Sequence, residues 1–323
     1  MNVLFVTDPL SGLDAGIDAS VGLMAAAADL GDDVWVCRPE DLAIVDRRLQ
    51  AGAHRITLRP RHARGDHRWV VEDQWYDVVE HRTLDVCDEV RVVMLRLDPP
   101  VDPRYLRTTY LLDVAAEAGV RVVNRPQGVR AMQEKLFALR YPDLCPPTVV
   151  TADAGDLLAF VEAFGTAVVK PVDGFAGIDV WLLRRRDPNL TSLVESAVRG
   201  SRHVVAQQFL PAVAEGNKRL FVLDGEIIGA VDRLPSTADF RIGPPAAAVE
   251  VSARDLAIVD RLVPDLAHHG IALAGLDVID GQLIEINVTC PGGMHKTDAL
   301  LGTDLSGAIM RRLLHHSKDW VLS

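Results

Sequence analysis

The chain reads as an α/β protein whose first part is Rossmann-like and whose last part turns on an antiparallel hairpin. Three stretches carry that reading. Asn2 to Val6 is an apolar strand, Ile17 to Leu30 an alanine-rich helix and Val34 to Cys37 a second strand, which together make a βαβ start. Residues 148–183 hold three short strands and one helix, with a glycine-bearing turn between the last two strands. Gly275 to Asn287 holds two short apolar runs joined at Asp280-Gly281, a strong hairpin signal.

Taken in order, the first strand is followed by Asp8-Pro9-Leu10-Ser11-Gly12-Leu13, which lacks G-x-G-x-x-G, so no dinucleotide site is expected there. Residues 41–84 are mixed and polar and show no clear period. Val90 to Arg96 is a buried strand ending in Arg96-Leu97-Asp98-Pro99-Pro100. Ligands of open α/β sheets collect at such carboxyl ends, so Arg96 is either a site residue or half of a surface ion pair with Asp98. A helix over Pro103–Gly119, a strand over Val120–Val123 and a break at Asn124-Arg125-Pro126 follow. Glu134-Lys135-Leu136-Phe137 is expected on a helix over Gly128–Leu139. After Pro146-Pro147 come a strand at 148–151, a helix at 154–164 and strands at 166–170 and 178–183. The turn Lys170-Pro171-Val172-Asp173-Gly174-Phe175-Ala176-Gly177 joins the last two; its backbone N–H groups could cover phosphates, or it could be a plain hairpin loop. Strands follow at Val204–Phe209, Lys218–Asp224 and Glu226–Val231. Residues 235–248 read as a surface loop, Val251–His268 as an amphipathic helix, Thr289–Thr303 as a loop and Asp304–His315 as the last helix.

In the hairpin, residues two apart share a face, so Glu285 and Asn287 point the same way. A two-residue turn at Asp280-Gly281 would pair Asp277 with Ile284 and leave Glu285 on the other side. A three-residue loop would pair Asp277 with Glu285. Only the second gathers two carboxylates and an amide oxygen, a set suited to a hard cation such as Mg²⁺ that shares its other positions with phosphates. Ordinary polar residues on the wet face of a hairpin are the plainer alternative.

Composition narrows the function classes. With 34 basic and 45 acidic residues the net charge is −11, a field that disfavours nucleic acid and anionic membrane as partners. No apolar run is long enough to span a bilayer, and charge interrupts the opening residues too early for a signal peptide. Cys37, Cys87, Cys145 and Cys290 have no paired spacing, which argues against a disulfide framework or a zinc site. A cytoplasmic protein is expected.

Together the short motifs resemble the ATP-grasp ligases, most closely the prokaryotic glutathione synthetase family, over nearly the whole chain. The resemblance is carried by Asp8-Pro9, Arg96 to Pro100, Asn124 to Gln127, Glu134 to Phe137, Lys170 to Gly174 and Asp187 to Leu190. Farther on it runs through Ala206 to Pro211, Gly216 to Arg219, Arg233 to Pro235, Gly275 to Asp277 and Glu285 to Thr289. It implies a Rossmann-like N-terminal domain over 1–123 and an ATP-grasp domain over 124–323, with a lid at 147–203. It implies ATP between lid and C-terminal core, with Lys135 and Lys170 on the phosphates. Gly174, Gln207, Gln208, Phe209, Leu210 and Asn217 would complete the nucleotide site. Asp277, Glu285 and Asn287 would hold two Mg²⁺ ions, with Mn²⁺ as an alternative. Arg219, Arg233 and Arg241 would grip carboxylate or acyl-phosphate oxygens, and Asp18, Arg96 and Cys290, with Arg219 and Arg233, would face the substrates.

The activity so implied is an ADP-forming carboxylate–amine ligation through an acyl phosphate, with γ-glutamylcysteine and glycine as the relatives' reactants, in a homo-oligomer. A ligase joining another acid and amine, a phosphotransferase and a nucleotide-binding regulator are the other readings. No Ser–His–Asp constellation competes, and Cys290 and His295 read as incidental. Some positions depart from the family. The loop Ser236 to Ala246 is shorter and carries proline where glycine is usual, with no Asn after Arg241. Asn217 replaces an acidic residue, Ala176 a glycine, and Cys290 to Lys296 a Ser-Pro segment.

Overall fold

The computed structural model describes residues 1–175, 177–236 and 239–315; Ala176, Thr237 and Ala238 therefore lie outside the described residues. Strand β1 (Asn2–Thr7) leads to helix α1 (Ala19–Asp29), whose first turn Asp18 caps by accepting from the Ser20 N–H. β2 (Asp33–Cys37) runs parallel to β1. The unreadable stretch is an antiparallel meander: β3 (Leu42–Val45), β4 (Arg48–Leu58), a small ribbon of β5 (His62–Ala63) and β6 (Trp69–Val70), and β7 (Tyr76–Asp85). Its strands are rich in Arg, His and Asp because one face is wet, which hides the period.

Helix α2 (Val86–Glu89) returns the chain to β8 (Val90–Arg96), parallel to β1 on its other side. Helix α3 (Pro103–Glu117) and β9 (Arg121–Val123) complete a sheet with β2, β1, β8 and β9 parallel and β3, β4 and β7 added antiparallel. The helix expected over Gly128–Leu139 is instead α4 (Pro126–Ala131), a bend and a 3₁₀ turn at Phe137–Arg140. Oε1 of Gln133 accepts the backbone N–H groups of Lys135 and Leu136, both at 2.8 Å, and so competes with helical bonding. Lys135 therefore sits on a bend.

The next unit consists of β10 (Thr148–Thr151), α5 (Ala154–Phe164), β11 (Thr166–Pro171), β12 (Trp181–Arg184), α6 (Leu190–Ala197) and β13 (Val204–Gln208). Its strands make an antiparallel sheet in the order β10–β13–β11–β12 over a small core of its own, including Leu157, Val161, Val169 and Leu183.

The C-terminal sheet, also antiparallel, runs β16–β15–β14–β17–β18. Its strands are β14 (Asn217–Leu223), β15 (Glu226–Ser236), β16 (Asp239–Ala248), β17 (Leu273–Ile279) and β18 (Gln282–Asn287). Most of the surface loop expected over 235–248 is thus strand. Pro244 and Pro245 are tolerated because β16 is an edge strand, and register shifts near Arg233 remove the alternation. Helix α7 (Ala253–His268) opens on a Ser252–Asp255 capping box.

The loop expected over Thr289–Thr303 contains α8 (Met294–Leu301), and α9 (Leu305–His315) follows. His295, Thr297 and Asp298 of α8 are buried polar residues, so the helix shows no apolar stripe. The N-terminal and C-terminal sheets share two hydrophobic cores, unlike the middle unit. Asn124 stitches them: its Nδ2 donates to the carbonyls of Leu273 and Val288, and its Oδ1 accepts from the Leu273 N–H.

Candidate active site

A cavity of about 850 Å³ lies between the middle unit's sheet and the C-terminal sheet and extends toward the loop after β8. Fifteen of the seventeen residues singled out in the sequence line it. Asp18 and Arg96 are not among the lining residues. Asp18 caps α1; Arg96 is buried and donates to Ser20 Oγ at 3.2 Å and the Pro291 carbonyl at 3.1 Å. It props the chain just after Cys290 from behind rather than forming an ion pair with Asp98.

The hairpin resolves its own ambiguity in a third way. Asp280 and Gly281 both have positive φ, at 50° and 67°, the signature of a two-residue type I′ turn. Ile279 pairs with Gln282 and Val278 with Leu283, yet Asp277 pairs with Glu285. Ile284 is the extra residue of a β-bulge, and this single insertion swings Glu285 to the side of Asp277. Gly275 pairs with Asn287, whose Nδ2 donates to the Gly275 carbonyl at 3.0 Å and leaves Oδ1 free to serve as an acceptor.

Two carboxylates and an oriented amide oxygen fit a hard divalent cation. Among the described residues no three His, Cys, Asp or Glu side chains gather as a metal cluster, so the set depends on the amide.

The cations around these oxygens already have partners. Arg219 holds Asp277 in a fork, Nε to Oδ1 at 2.5 Å and Nη2 to Oδ2 at 3.1 Å, and Arg233 Nη2 reaches the same Oδ1 at 2.7 Å. Burial acts to raise the Asp277 carboxyl, but the two guanidinium groups outweigh it and hold it well below the usual carboxylate range. Burial lowers Arg233, whose Nε is a buried donor with no partner, and Asp277 only partly compensates. An orphaned guanidinium N–H beside a carboxylate is what an incoming phosphate or carboxylate oxygen would satisfy.

Lys170 Nζ lies 3.6 Å from Glu285, and burial lowers its pKa against the pull of that carboxylate. Lys135 Nζ donates to the carbonyls of Gly174 and Val172, tying it to the turn after β11. Arg241 donates to the Gly177 carbonyl of the same turn. Asn217 accepts from Arg233. Gln207, Gln208, Phe209 and Leu210 line the cavity together with the apolar Pro146, Val168, Ile279 and Ile284, a mixture suited to a purine ring and its polar edge.

Three neighbours were not singled out in the sequence. Oε1 of Glu134 accepts from the Val288 N–H at 2.8 Å, the Thr289 N–H at 2.9 Å and Thr289 Oγ1 at 2.8 Å. With Gln133 donating to the Val172 carbonyl, the tripeptide Gln133-Glu134-Lys135 clips the end of β18 to the turn after β11. The adjacency of Glu134 to Lys135 in a family-like motif was the available signal. Lys296 and His67 line the far end, and no local pattern marks either. His295, by contrast, is not at the cavity. It is 1% exposed, stacked on Trp69 at 5.2 Å, and burial lowers it to about 4.

A two-sheet clamp with paired lysines above and oxygen ligands below defines an ATP-grasp ligase, an enzyme joining a carboxylate to an amine with release of ADP. Two family patterns match: "Prokaryotic glutathione synthetase, N-terminal domain" over residues 1–130 and "Prokaryotic glutathione synthetase, ATP-grasp domain" over residues 134–302. The chain belongs to the prokaryotic glutathione synthetase family, whose members use ATP and a divalent metal.

Among its relatives, the glutathione synthetase of Thermosynechococcus vestitus is 39% identical over 317 residues, covering 96% of this chain and 98% of the relative. That of Parasynechococcus marenigrum is 40% identical over 318 residues, covering 97% and 99%. Solved structures share the fold at lower identity. D-cycloserine synthetase DcsG aligns with a TM-score of 0.62 at 18% identity, covering 97% of this chain and 100% of that one. The ATP-grasp ligase PsnB, complexed with a precursor peptide and AMPPNP, aligns with a TM-score of 0.60 at 19% identity, covering 98% and 97%.

Proposed function

We propose that this ligase joins γ-glutamylcysteine to glycine. Relatives near 39% identity over the full chain support that pair of substrates. The observation that carries the site assignment is the convergence of Asp277, Glu285 and Asn287 with Arg219 and Arg233 between the two sheets. In this reading Asp277, Glu285 and Asn287 hold two magnesium ions, manganese being an alternative, which neutralise triphosphate charge when bound. Lys135 and Lys170 draw the phosphates toward the C-terminal sheet. Gln207 to Leu210 and Asn217 receive the nucleoside, and Gly174 lets the turn approach the phosphates.

Arg219 and Arg233 orient the acid substrate's carboxylate for in-line attack and then hold the acyl phosphate, with Arg241 closing from the edge strand. Water exclusion falls to the lid over residues 147–203. Asp18, Arg96 and Cys290 back the substrate end. Division at residue 123 into two domains, a homo-oligomer and a cytoplasmic location belong to the same reading. No helix among the described residues is long and apolar enough to cross a membrane.

ADP release measured across a matrix of acids and amines tests it. The expected result is ADP with γ-glutamylcysteine plus glycine, lost more than about a hundredfold in Lys170→Ala. ADP formation without amide product, or unchanged in Lys170→Ala, would overturn it.

A further inference from the structure

Helix α8 and the turn of the β5–β6 ribbon each bring one side chain to the cavity, Lys296 and His67, and Lys296 carries its charge there without a partner among the described residues. Trp69 ties the two together: its backbone N–H donates to the Gly16 carbonyl at 2.9 Å and its Nε1–H to the His295 carbonyl at 2.8 Å. His295 is wedged so tightly against α1 that a Cβ at Gly22 would lie 2.6 Å from its ring. With His295 turned inward, the next residue, Lys296, is presented to the cavity, and His67 reaches the same space from the ribbon's turn.

Lys296 is half-buried and makes no ion pair or hydrogen bond among the described residues, whereas the neighbouring Arg68 is taken up by Asp14 at 2.8 Å. The carboxylates of Asp18 and Asp14 act on it only from beyond ion-pair distance, Asp18 Oδ1 capping α1 and Asp14 being paired with Arg68. Burial pushes the Lys296 ammonium below its ordinary value against the pull of Asp18 and Asp14, and Lys296 lines the same cavity as Arg233, the arginine expected to hold the reacting carboxylate. A partly desolvated ammonium with no carboxylate in contact is stabilised by a ligand that brings one.

We propose that Lys296, on the cavity that His67 also lines, binds a second anionic group of the acid substrate and so selects acids that carry one carboxylate to activate and another to be recognised. The inference rests on the ligase reading above and adds the residue that selects the substrate class. Cys290 and Asp98, which also line this end, leave room for a polar chain between the two carboxylates.

The test compares γ-glutamylcysteine with the analogue whose glutamyl α-carboxyl is a primary amide. In the wild type the amide should raise KM about ten- to hundredfold, the range of a charge-assisted hydrogen bond. Lys296→Ala should raise KM for the parent acid by a similar factor and reduce the discrimination to about twofold, with kcat held within about threefold. Lys296→Arg should restore most of the preference, and Lys296→Met, which keeps the stem, should not. Retained discrimination in Lys296→Ala, or a fall in kcat without a change in KM, overturns the proposal.

If the wild type releases no ADP with γ-glutamylcysteine, the substrate reading falls. The lysine is then decided by calorimetry of glutarate against glutaramate on the protein loaded with Mg²⁺ and ADP. Preference for glutarate that disappears in Lys296→Ala upholds the lysine's role, and equal affinity overturns it.

Discussion

The two ends of the cavity are prepared for their ligands in opposite ways. At the nucleotide end Asp277 is shared by Arg219 and Arg233, Glu285 faces Lys170, and Lys135 is tied to two carbonyls. Lys296 and His67, which line the cavity on the end proposed for the substrates, have no such partners among the described residues. On the proposed assignment nucleotide and metal would bind by exchange, a cation taking over Asp277 as phosphate or carboxylate oxygens take over the arginines. The far end needs no exchange, so affinity there reports directly on the ligand's own charge. A site that pre-neutralises its strongest charges stays folded without ligand, and a site that leaves one unpaired gains selectivity from it.

Breaking the pre-neutralised end should have the largest effect. Asp277→Asn removes a proposed metal ligand and leaves two buried guanidinium groups without their counter-ion. Amine-dependent ADP release should fall at least about a thousandfold, and stability in urea by about 3 kcal/mol. Adding Arg233→Met to Asp277→Asn should recover part of the stability and none of the activity. Stability that is unchanged in the single variant, or strictly additive in the double, would show that the arginines do not depend on that carboxylate.

What could be read in the sequence followed how local each determinant is. Lys170, Asp277, Glu285 and Asn287 lie within short motifs on strands or at strand ends, and their placement on the cavity agrees with the reading. The bulge at Ile284 was not legible, because one inserted residue is decided by cross-strand packing rather than by the turn dipeptide. Lys135 lines the cavity from a bend rather than from the expected helix, since Gln133 replaces helical bonds with its own amide oxygen. The meander over 42–85 and helix α8 lacked any period because their polar residues face water or are buried in pairs. That His67 and Lys296 line one cavity is decided by packing between distant parts of the chain and leaves no local trace.

Glu134 sharpens the comparison from between the two ends, because it fixes the strand carrying Asn287 and the turn into Cys290 with one oxygen. Glu134→Gln keeps an acceptor at that position and should lower kcat/KM only several-fold. Glu134→Ala leaves two backbone N–H groups and a hydroxyl without their acceptor, a cost of about 1–3 kcal/mol. It should cut kcat/KM about thirty- to hundredfold while weakening metal affinity, read by Mn²⁺ titration in the presence of ADP. Equal effects of Gln and Ala would mean that the charge, not the clip, is what matters.

The smallest effect expected is a pH dependence confined to the wall behind the substrate end. His295 is buried, and burial together with Arg61 outweighs the Ala15 carbonyl and Asp18 to lower it from 6.5 to about 4. The unfolded chain takes up a proton near pH 6.5 while the folded one refuses it until about pH 4. Stability contributed by the neutral ring is therefore full above pH 7, falls as the pH drops through 6.5, and levels off below 4. Between pH 7 and pH 5 the loss should be about 2 kcal/mol, seen as the difference between wild type and His295→Asn in urea unfolding at the two pH values. The variant should be less stable at pH 7, because the Trp69 stack is gone, and flatter toward pH 5. Nucleotide affinity should keep the same pH profile in both proteins, since His67 is the one histidine among the described residues lining the cavity and it lies on the end proposed for the substrates. A parallel drop in both proteins would place the acid sensitivity among the paired carboxylates of the nucleotide end instead.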